Sequence, residues 1–436
     1  MWYNKNNYFG MEVIKVPKIT IKNFGPIELC EMNIDNLTIL TGAQASGKST
    51  IAKCIYFFRT IKDDIYDVIM KKSYLGSNIT MPKLVSRVLR NKFLQMFGTS
   101  RAMDSNMCLR YDYTEDTFIQ VRLELKKGVD YISPNYIMID FSENINVFLR
   151  TCVGRFDESN VRREINNIFN DEYETIFIPA GRSLISLLTS QLNYMLVTMD
   201  DEQKRSIDYC TQKYMERILK IRPLFSEGID GLVNQKTEYS RDYVNAMRTL
   251  INQVLKGKYF FVSGEERLYL PANSNKGEER FVKINFTSSG QQETVWIFNI
   301  LFHLLINGTK SFIILEEPEA HLYPDAQKSI TDALALMLNS GSNMMITTHS
   351  PYILGEFNNL IYANFLFNKS SCSKGEITNI VDKKYYVDKY NAFFVSNGKI
   401  KPCVENTDEK LIMNEVIDGA SSDINNVYDR LFDLEN

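Results

Sequence analysis

A glycine-rich loop and a pair of carboxylates are the residues of this sequence that are best suited to chemistry. The loop, residues 42–49, reads Gly-Ala-Gln-Ala-Ser-Gly-Lys-Ser and fits the pattern G-x-x-x-x-G-K-[ST]. Far along the chain, Glu316 and Glu317 follow the wholly apolar residues 312–315. Such a loop cradles phosphates, and paired carboxylates hold Mg²⁺ and orient an attacking water. Together the two segments predict a nucleoside-triphosphate site that takes ATP and Mg²⁺.

Each residue type in the loop has its own expected task. Gly42 and Gly47 permit backbone turns that direct N–H groups at phosphate oxygens. Lys48 is expected to reach the β- and γ-phosphates, and the Ser49 hydroxyl is expected to ligate Mg²⁺. A helix that starts at Lys48 adds the positive end of its dipole. The predicted loop set is Gly42, Ala45, Ser46, Gly47, Lys48, Ser49 and Thr50.

The two carboxylates divide the remaining chemistry. Glu316 is expected near the metal, and Glu317 is expected to orient or deprotonate the attacking water. The alternative is a surface acidic pair that caps a strand. His349 follows the predicted strand 344–347 in Thr-Thr-His-Ser-Pro, where its ring could contact the γ-phosphate or the attacking water. A strand-end histidine that is satisfied by backbone groups is the alternative there. The predicted catalytic residues are Glu317, His349 and Lys48, with Ser49 and Glu316 as metal ligands.

Three other features are less specific than these motifs. The residues 288–292, Ser-Ser-Gly-Gln-Gln, precede a predicted helix and offer a second anion site, although Ser-Gly is also an ordinary helix cap. His321 fits a structural role and a subunit contact equally well. His303 lies among apolar residues and is expected to pack in the core.

The periodicity of apolar residues places these motifs on strands and helices. Strands are predicted at residues 19–21, 37–40, 121–125, 136–141, 175–178, 312–315 and 344–347, with short strands within 259–286. Helices are predicted from Lys48, at 293–306 and at 324–338, and a helical pattern covers about 183–257. A strand, loop and helix in this order is the context that a phosphate loop requires.

Composition narrows the classes of protein. The net charge of −3 gives no global positive field that would recruit nucleic acid. The nearest to a DNA-binding patch is Lys83, Arg87 and Arg90 at helical spacing, with Lys92 nearby. Seven scattered cysteines without a C-x-x-C pair indicate reduced thiols in a cytoplasmic protein. The longest apolar stretch is too short to span a bilayer, so no membrane association is expected.

In chain order, the phosphate loop, Ser-Ser-Gly-Gln-Gln, Ile-Leu-Glu-Glu-Pro-Glu-Ala-His-Leu-Tyr-Pro and Thr-Thr-His-Ser-Pro resemble the motifs of an ABC-type ATPase head. The resemblance is to the RecF/OLD-like branch, among relatives of the chromosome-maintenance proteins. It implies an α/β P-loop fold: a mixed sheet with flanking helices, a β-subdomain, and a helical lobe inserted between the phosphate loop and the signature motif. The implied domains are residues 1–182, 183–285 and 286–436.

The same resemblance implies a homodimer or higher oligomer that encloses two ATP molecules between its heads. The phosphate-loop residues, both carboxylates and His349 would act from one subunit. Ser289 and Gly290 would cap the γ-phosphate bound to the other subunit, and Asp325 would lie near the dimer contact. The sequence departs from the common pattern at Gln291, which replaces a glycine, and at Glu316, which replaces an aspartate.

One residue of the ABC-type pattern is not obvious here. Arg182 occupies the approximate place of the glutamine-loop residue in the order of motifs. A salt-bridged structural arginine is the alternative interpretation.

Family resemblance also suggests a biological role. The chain contains no Asp-x-Asp, the carboxylate signature of the Toprim nuclease in OLD proteins, and its helical insert is too short for long coiled-coil arms. It is similar in this respect to the ATPase subunits of anti-phage systems such as PARIS and Septu. The resulting hypothesis is a slow, regulatory ATPase whose head dimerisation controls a separate nuclease or toxin effector. The alternative is a RecF-like repair clamp that binds DNA when ATP is bound.

Overall fold

The strands form at the apolar, β-branched segments of the sequence. The computed structural model describes residues 17–71, 79–98, 103–124, 137–152, 157–188, 198–200, 207–234, 240–271, 280–369, 372–413 and 425–430. Its strands are β1 (Lys18–Phe24), β2 (Ile27–Asn33), β3 (Leu37–Thr41), β4 (Cys108–Asp112), β5 (Phe118–Leu123), β6 (Ile137–Phe141), β7 (Glu174–Ile178), β8 (Lys258–Val262), β9 (Glu265–Leu270), β10 (Arg280–Lys283), β11 (Ser311–Glu316), β12 (Asn343–Thr348), β13 (Tyr390–Ser396) and β14 (Lys399–Pro402).

Helices fill most of the chain between the strands. They are α1 (Lys48–Arg59), α2 (Ile61–Met70), α3 (Met81–Phe97), α4 (Glu143–Thr151), α5 (Glu158–Phe169), α6 (Arg182–Leu188), α7 (Tyr209–Ile221), α8 (Gly228–Asn234), α9 (Arg241–Leu255), α10 (Ser289–Asn307), α11 (Pro324–Asn339), α12 (Pro351–Asn368) and α13 (Lys374–Ile380). Short 3₁₀ turns occur at Arg222–Phe225, Ile284–Phe286 and Lys383–Tyr385. Among the described residues, no helix is both long enough and apolar enough to cross a bilayer.

Eleven of the strands form one mixed sheet, in the order β6-β5-β4-β1-β2-β14-β13-β3-β12-β11-β7. Strands β13, β3, β12, β11 and β7 are parallel neighbours, whereas β6, β5, β4, β1 and β2 form an antiparallel extension. Strands β8, β9 and β10 make a separate antiparallel sheet. The predicted class, a mixed sheet with flanking helices, is confirmed.

The central strands are buried on both faces, because helices cover the sheet on each side. Successive residues of β11 point to opposite faces, so Ile313 and Leu315 join one hydrophobic cluster while Phe312 and Ile314 join the other. The first cluster includes the apolar residues of α9 to α12, and the second includes those of α1 to α5. Fully apolar strands are the expected sequence of such a two-sided core.

The hairpin of β13 and β14 joins the parallel and antiparallel parts of the large sheet. Strand β13 pairs with β3, and Gly398, at the hairpin turn, accepts hydrogen bonds from the backbone N–H groups of Glu28 (2.8 Å) and Leu29 (3.0 Å) in β2. The last strands of the chain therefore fill the space between two of the first.

A buried ionic cluster lies where α1 ends. Arg59 Nη2 and Lys62 Nζ lie 2.8 and 3.2 Å from the two carboxylate oxygens of Asp171, and all three side chains are at most 6% exposed. Lys62 also donates to the backbone carbonyls of Asp171 and Tyr173. Burial lowers the pKa of Lys62, and the Asp171 charge opposes that shift. One carboxylate thus compensates two buried cations that join α1 and α2 to the segment before β7.

The start of one predicted helix was wrong, and a helix close to the site was not predicted. The helix predicted at 293–306 is α10 and begins four residues earlier, because Ser288 caps it and Gln291 completes a capping box. Helix α12, which starts at Pro351, was not predicted. There the Ser350 hydroxyl accepts the N–H groups of Tyr352 and Ile353.

The proposed basic patch on α3 is smaller than its spacing predicted. Lys83 and Arg87 are exposed, but Arg90 donates its Nε–H to Ile137 O at 3.0 Å. Lys92 is buried, where it pairs with Asp64 and donates to the Thr60 hydroxyl. Only two of the four cations therefore face solvent freely.

Candidate nucleotide-binding site

The parallel strands bring the predicted catalytic segments to one edge of the sheet. Strands β3, β7, β11 and β12 point the same way, so the segments after their carboxyl ends are neighbours. These segments are the phosphate loop, residues 179–182, the carboxylate pair and Thr348-His349. Residues far apart in the sequence are thereby assembled around one place.

Two glycines of the phosphate loop have conformations and surroundings that exclude a side chain. Gly42 has φ +138°, and a Cβ there would lie 2.2 Å from Val395 O in β13. Gly47 has φ +107°, and its Cβ would lie 2.4 Å from Ile27 Cδ1. The loop is therefore held against the β13–β14 hairpin on one side and the start of β2 on the other.

Lys48 fixes the shape of the loop from inside. Its Nζ donates to the carbonyl oxygens of Gly42 and Ala43, both at 2.8 Å, and the side chain is only 6% exposed. Burial lowers the pKa of Lys48, while the charges of Glu317 and Glu319 act in the opposite direction. The ammonium thus lies between the loop and the carboxylates, where the β- and γ-phosphates are expected.

Glu316 and Ser49 fit the requirements of a magnesium ion. Burial raises the pKa of Glu316, and its interaction with the Ser49 hydroxyl opposes the shift, so the two side chains are neighbours. Glu316 Oε2 accepts the Ala180 N–H at 3.3 Å, whereas Oε1 is buried and has no hydrogen-bond partner among the described residues. Mg²⁺ bound to phosphates needs only one or two protein oxygens. Among the described residues, no group of three or more His, Cys, Asp or Glu side chains could hold a metal ion.

Glu317 and His349 lie together beside this position. His349 Nε2 is 3.5 Å from Glu317 Oε1, and the interaction with this ring is the main cause that lowers the pKa of Glu317. Arg182 and Lys48 lower it further. The carboxylate is therefore ionised at neutral pH, as a base or an orienting acceptor for water must be.

Glu319 is a site residue that the sequence analysis missed. Its Oε1 accepts the Thr348 hydroxyl at 2.9 Å and the His349 N–H at 2.7 Å. Its Oε2 is buried and has no hydrogen-bond partner among the described residues. The third acid of Glu-Glu-Pro-Glu thus ties the segment after β11 to the segment after β12. That third acid was the available signal in the sequence.

Ser289 and Gly290 lie in the first turn of α10. They line a cavity of about 860 Å³ together with His321, Tyr323 and Asp325, and no residue of 42–50 lines it. A Cβ at Gly290 would lie 2.9 Å from His321 O, so the helix start packs tightly on that loop. His321 is exposed at the cavity. In one chain, therefore, the two predicted anion-binding elements do not line a common cavity.

The structure settles the position of two other residues. Arg182 is fully buried and forms an ion pair with Glu293, so the salt-bridged interpretation describes it. His303 is only half-buried on α10, where its ring and carbonyl contact the Asn307 amide.

A family comparison agrees with the assembled site. The family described as AAA ATPase domain matches residues 14–176 and 115–354, a span that contains every segment of this site. The chain belongs to the AAA ATPase domain family. ATP binding and ATPase activity in general follow from this membership. No curated protein matches the chain in sequence.

Several solved structures are similar to this AAA ATPase domain protein at low identity. They include the Smc head bound to the C-winged helix domain of ScpA, with 14% identity, a TM-score of 0.38, and coverage of 88% of this chain and 96% of that chain. The SMC head domain from Thermotoga maritima is 11% identical, with a TM-score of 0.35 and coverage of 88% of this chain and 97% of that chain. The recombination mediator protein RecF is 13% identical, with a TM-score of 0.32 and coverage of 88% of this chain and 97% of that chain.

Replacing Lys48 by Ala in this AAA ATPase domain protein should weaken ATP binding itself. We expect an increase in the Kd for MgATP of at least about 30-fold, because the variant loses a buried charge-assisted contact with the phosphates. Binding of a fluorescent ATP analogue measures the effect. Lys83→Ala, on the exposed face of α3, is the control and should bind as the wild type does. Unchanged affinity in Lys48→Ala would remove the lysine from the site.

Proposed function

We propose that the protein is an ABC-type ATPase in which two chains dimerise through their heads and share two ATP molecules. The observation that carries the proposal is the contact of Glu317 with His349 beside Lys48, with Ser289 and Gly290 in a separate cavity. The first group has the chemistry for Mg²⁺-dependent attack of water on a γ-phosphate. The Ser289 and Gly290 groups that contact this γ-phosphate would have to come from another copy of the chain.

The chemical roles follow from the contacts. Glu316 and Ser49 would hold Mg²⁺, and Glu317 would orient or deprotonate the water. His349 would fix the Glu317 carboxylate and contact the γ-phosphate. Mg²⁺ would neutralise charge that develops on the phosphate oxygens.

Ser289 would complete the site of the second copy. It is exposed in the first turn of α10, where free N–H groups and the helix dipole favour an anion. The cavity beside it would receive the nucleotide-bearing face of the partner, with Asp325 near the contact. Because a two-fold dimer repeats every contact, both ATP molecules would be enclosed in the same way.

We further propose that dimerisation is a slow switch that controls a separate nuclease or toxin effector in anti-phage defence. The support is that a sequence resembling the RecF/OLD-like branch lacks the Asp-x-Asp signature of a Toprim nuclease, as do ATPase subunits that work beside a separate effector. Identification by mass spectrometry of the protein that co-purifies from the native host tests this part. Recovery of a DNA-repair complex and no effector would contradict it.

Mixing two inactive variants tests whether the site is shared between copies. Lys48→Ala lacks a working phosphate loop, and Ser289→Arg should block the donor side. A mixture should recover about a quarter of the wild-type rate, because half of randomly formed dimers are mixed and each holds one intact site. ATP turnover of the mixture, compared with each variant alone, measures the recovery.

The matched control for this experiment uses two defects on the same side of the site. Lys48→Ala mixed with Glu317→Gln leaves each composite site with one defect, so no recovery is expected. Recovery in the control mixture, or none in the test mixture, would rule out the shared site.

A further inference from the structure

Arg182 contacts the backbone of both carboxylate residues from a fully buried position. Its Nη1 donates to Glu316 O at 2.7 Å and to Pro179 O at 2.6 Å, and its Nη2 donates to Glu317 O at 2.9 Å. The planar guanidinium has its donors in a rigid fork that a lysine cannot reproduce. One side chain therefore fixes two consecutive carbonyl groups at the end of β11.

The backbone that Arg182 holds is in an unusual conformation. Glu317 has φ +44°, a left-handed value that a residue with a side chain rarely adopts. Its N–H donates to Thr347 O at 2.9 Å, and its carbonyl accepts from Ala320 N–H as well as from Arg182. Such a conformation persists only where surrounding contacts determine it. The direction of the Glu317 side chain thus depends on these few bonds.

The other side of Arg182 contacts the helix that begins with Ser289. Its Nε lies 3.2 Å from Glu293 Oε2 and donates to Glu293 O at 3.1 Å. Both oxygens of Glu293 accept backbone N–H groups of α6, from Arg182 at 3.0 Å and from Ser183 at 2.9 Å. Glu293 is one helical turn after Ser289 on α10. A continuous set of buried contacts therefore joins α10 to the end of β11.

We propose that Arg182 is a positioning residue that holds Glu317 in its reactive conformation and couples it, through Glu293, to the helix start at Ser289. This inference rests on the proposed shared ATP site. Arg182 would then link α10, whose start contacts the nucleotide bound to the partner, to Glu317 of its own chain. Arg182 does not touch the nucleotide, because its guanidinium is occupied by protein groups.

Arg182→Lys tests the positioning role. It keeps the charge opposite Glu293, but its single Nζ cannot occupy the separate positions of the Arg182 Nε, Nη1 and Nη2, so kcat should fall at least about 30-fold while KM for MgATP changes less than about 3-fold. The matched control is Lys92→Met, which removes another buried ion pair, with Asp64, at the far end of α1. That variant should retain the kcat of the wild type per folded molecule. Equal kcat in Arg182→Lys and the wild type would overturn the proposal.

A double-mutant cycle separates positioning from general destabilisation. If Arg182 acts through Glu317, adding Arg182→Lys to Glu317→Gln should lower the single-turnover rate less than about 3-fold further. A purely structural role would lower the rate by the same factor in both backgrounds, and that result would overturn the proposal.

Glu293→Gln tests the coupling to α10, and it keeps the size of the side chain. We expect it to form the ATP-dependent dimer with unchanged affinity but to hydrolyse ATP about 10-fold more slowly within that dimer. Sedimentation velocity and turnover on the same samples separate the two quantities. Wild-type turnover in the Glu293→Gln dimer would overturn the coupling. If instead the wild type neither dimerises nor hydrolyses ATP, the proposed function fails first, so the two failures are distinguishable.

Discussion

Replacing Glu317 by Gln should lower kcat for ATP hydrolysis by about 10²–10⁴-fold, the range that a positioned general base contributes. The amide has nearly the same shape but cannot accept a proton from water. The contact with His349 and the fold should survive, because the side chain is only half-buried. MgATP should still bind with an affinity within about 3-fold of the wild type. Steady-state turnover and equilibrium binding measure the two quantities.

The same variant should accumulate as an ATP-bound dimer, because closure no longer ends in hydrolysis. Size-exclusion chromatography with and without MgATP detects this species. Glu172→Gln is the control, since this glutamate lies before β7 at the opposite end of the sheet, is exposed, and pairs with Lys310 on the surface. It should turn over ATP as the wild type does. Wild-type turnover by Glu317→Gln would show that this carboxylate has no part in hydrolysis.

Replacing Asp171 by Ala should lower the free energy of unfolding by about 3–5 kcal/mol. The change leaves Arg59 and Lys62 buried without their counter-charge. The free-energy cost of two unpaired buried cations is larger than that of losing one hydrogen bond. Urea denaturation followed by circular dichroism measures the effect. The neighbouring Glu172→Ala removes an exposed pair with Lys310 and should change stability by less than about 1 kcal/mol.

The two denaturation midpoints decide the role of the ionic cluster. If Asp171→Ala unfolds at the same urea concentration as Glu172→Ala, the buried cations do not depend on this carboxylate. A large loss in Asp171→Ala alone supports the cluster as the connection between α1, α2 and the segment before β7. Because α1 begins at the phosphate loop, the variant should also bind ATP less well at temperatures close to its unfolding transition.

Local signals predicted the segments that carry the chemistry. The phosphate loop depends on glycines at fixed positions, and β11 depends on an uninterrupted apolar run before two carboxylates. Both are properties of a few consecutive residues. The sequence also suggested that His349 belongs to the site, because it follows a predicted strand in Thr-Thr-His-Ser-Pro and an imidazole there could contact the γ-phosphate or the attacking water. The catalytic roles remain predictions that the variants above test.

The residues that the sequence could not place act through distant partners. In the sequence, Arg182 is only the first residue of a helix. Its contacts with Glu293, Glu316 and Glu317 exist only in the folded protein. Glu319 gains its role only when β12 lies beside β11. Lys92 lies near the predicted basic helix face in the sequence, yet its partner Asp64 lies on another helix. Long-range pairing of polar side chains has no periodicity from which it could be read.

The hairpin of β13 and β14 has a consequence for biosynthesis. Val395 O lies against Gly42, and Gly398 accepts bonds from β2, so the cradle for the nucleotide is completed by strands translated long after it. While the ribosome is still adding those strands, β3 has an unpaired edge that is open to wrong partners. The packing of the phosphate loop and β2 against this hairpin therefore forms late in translation, after Tyr390–Ser396 and Lys399–Pro402 have emerged from the exit tunnel.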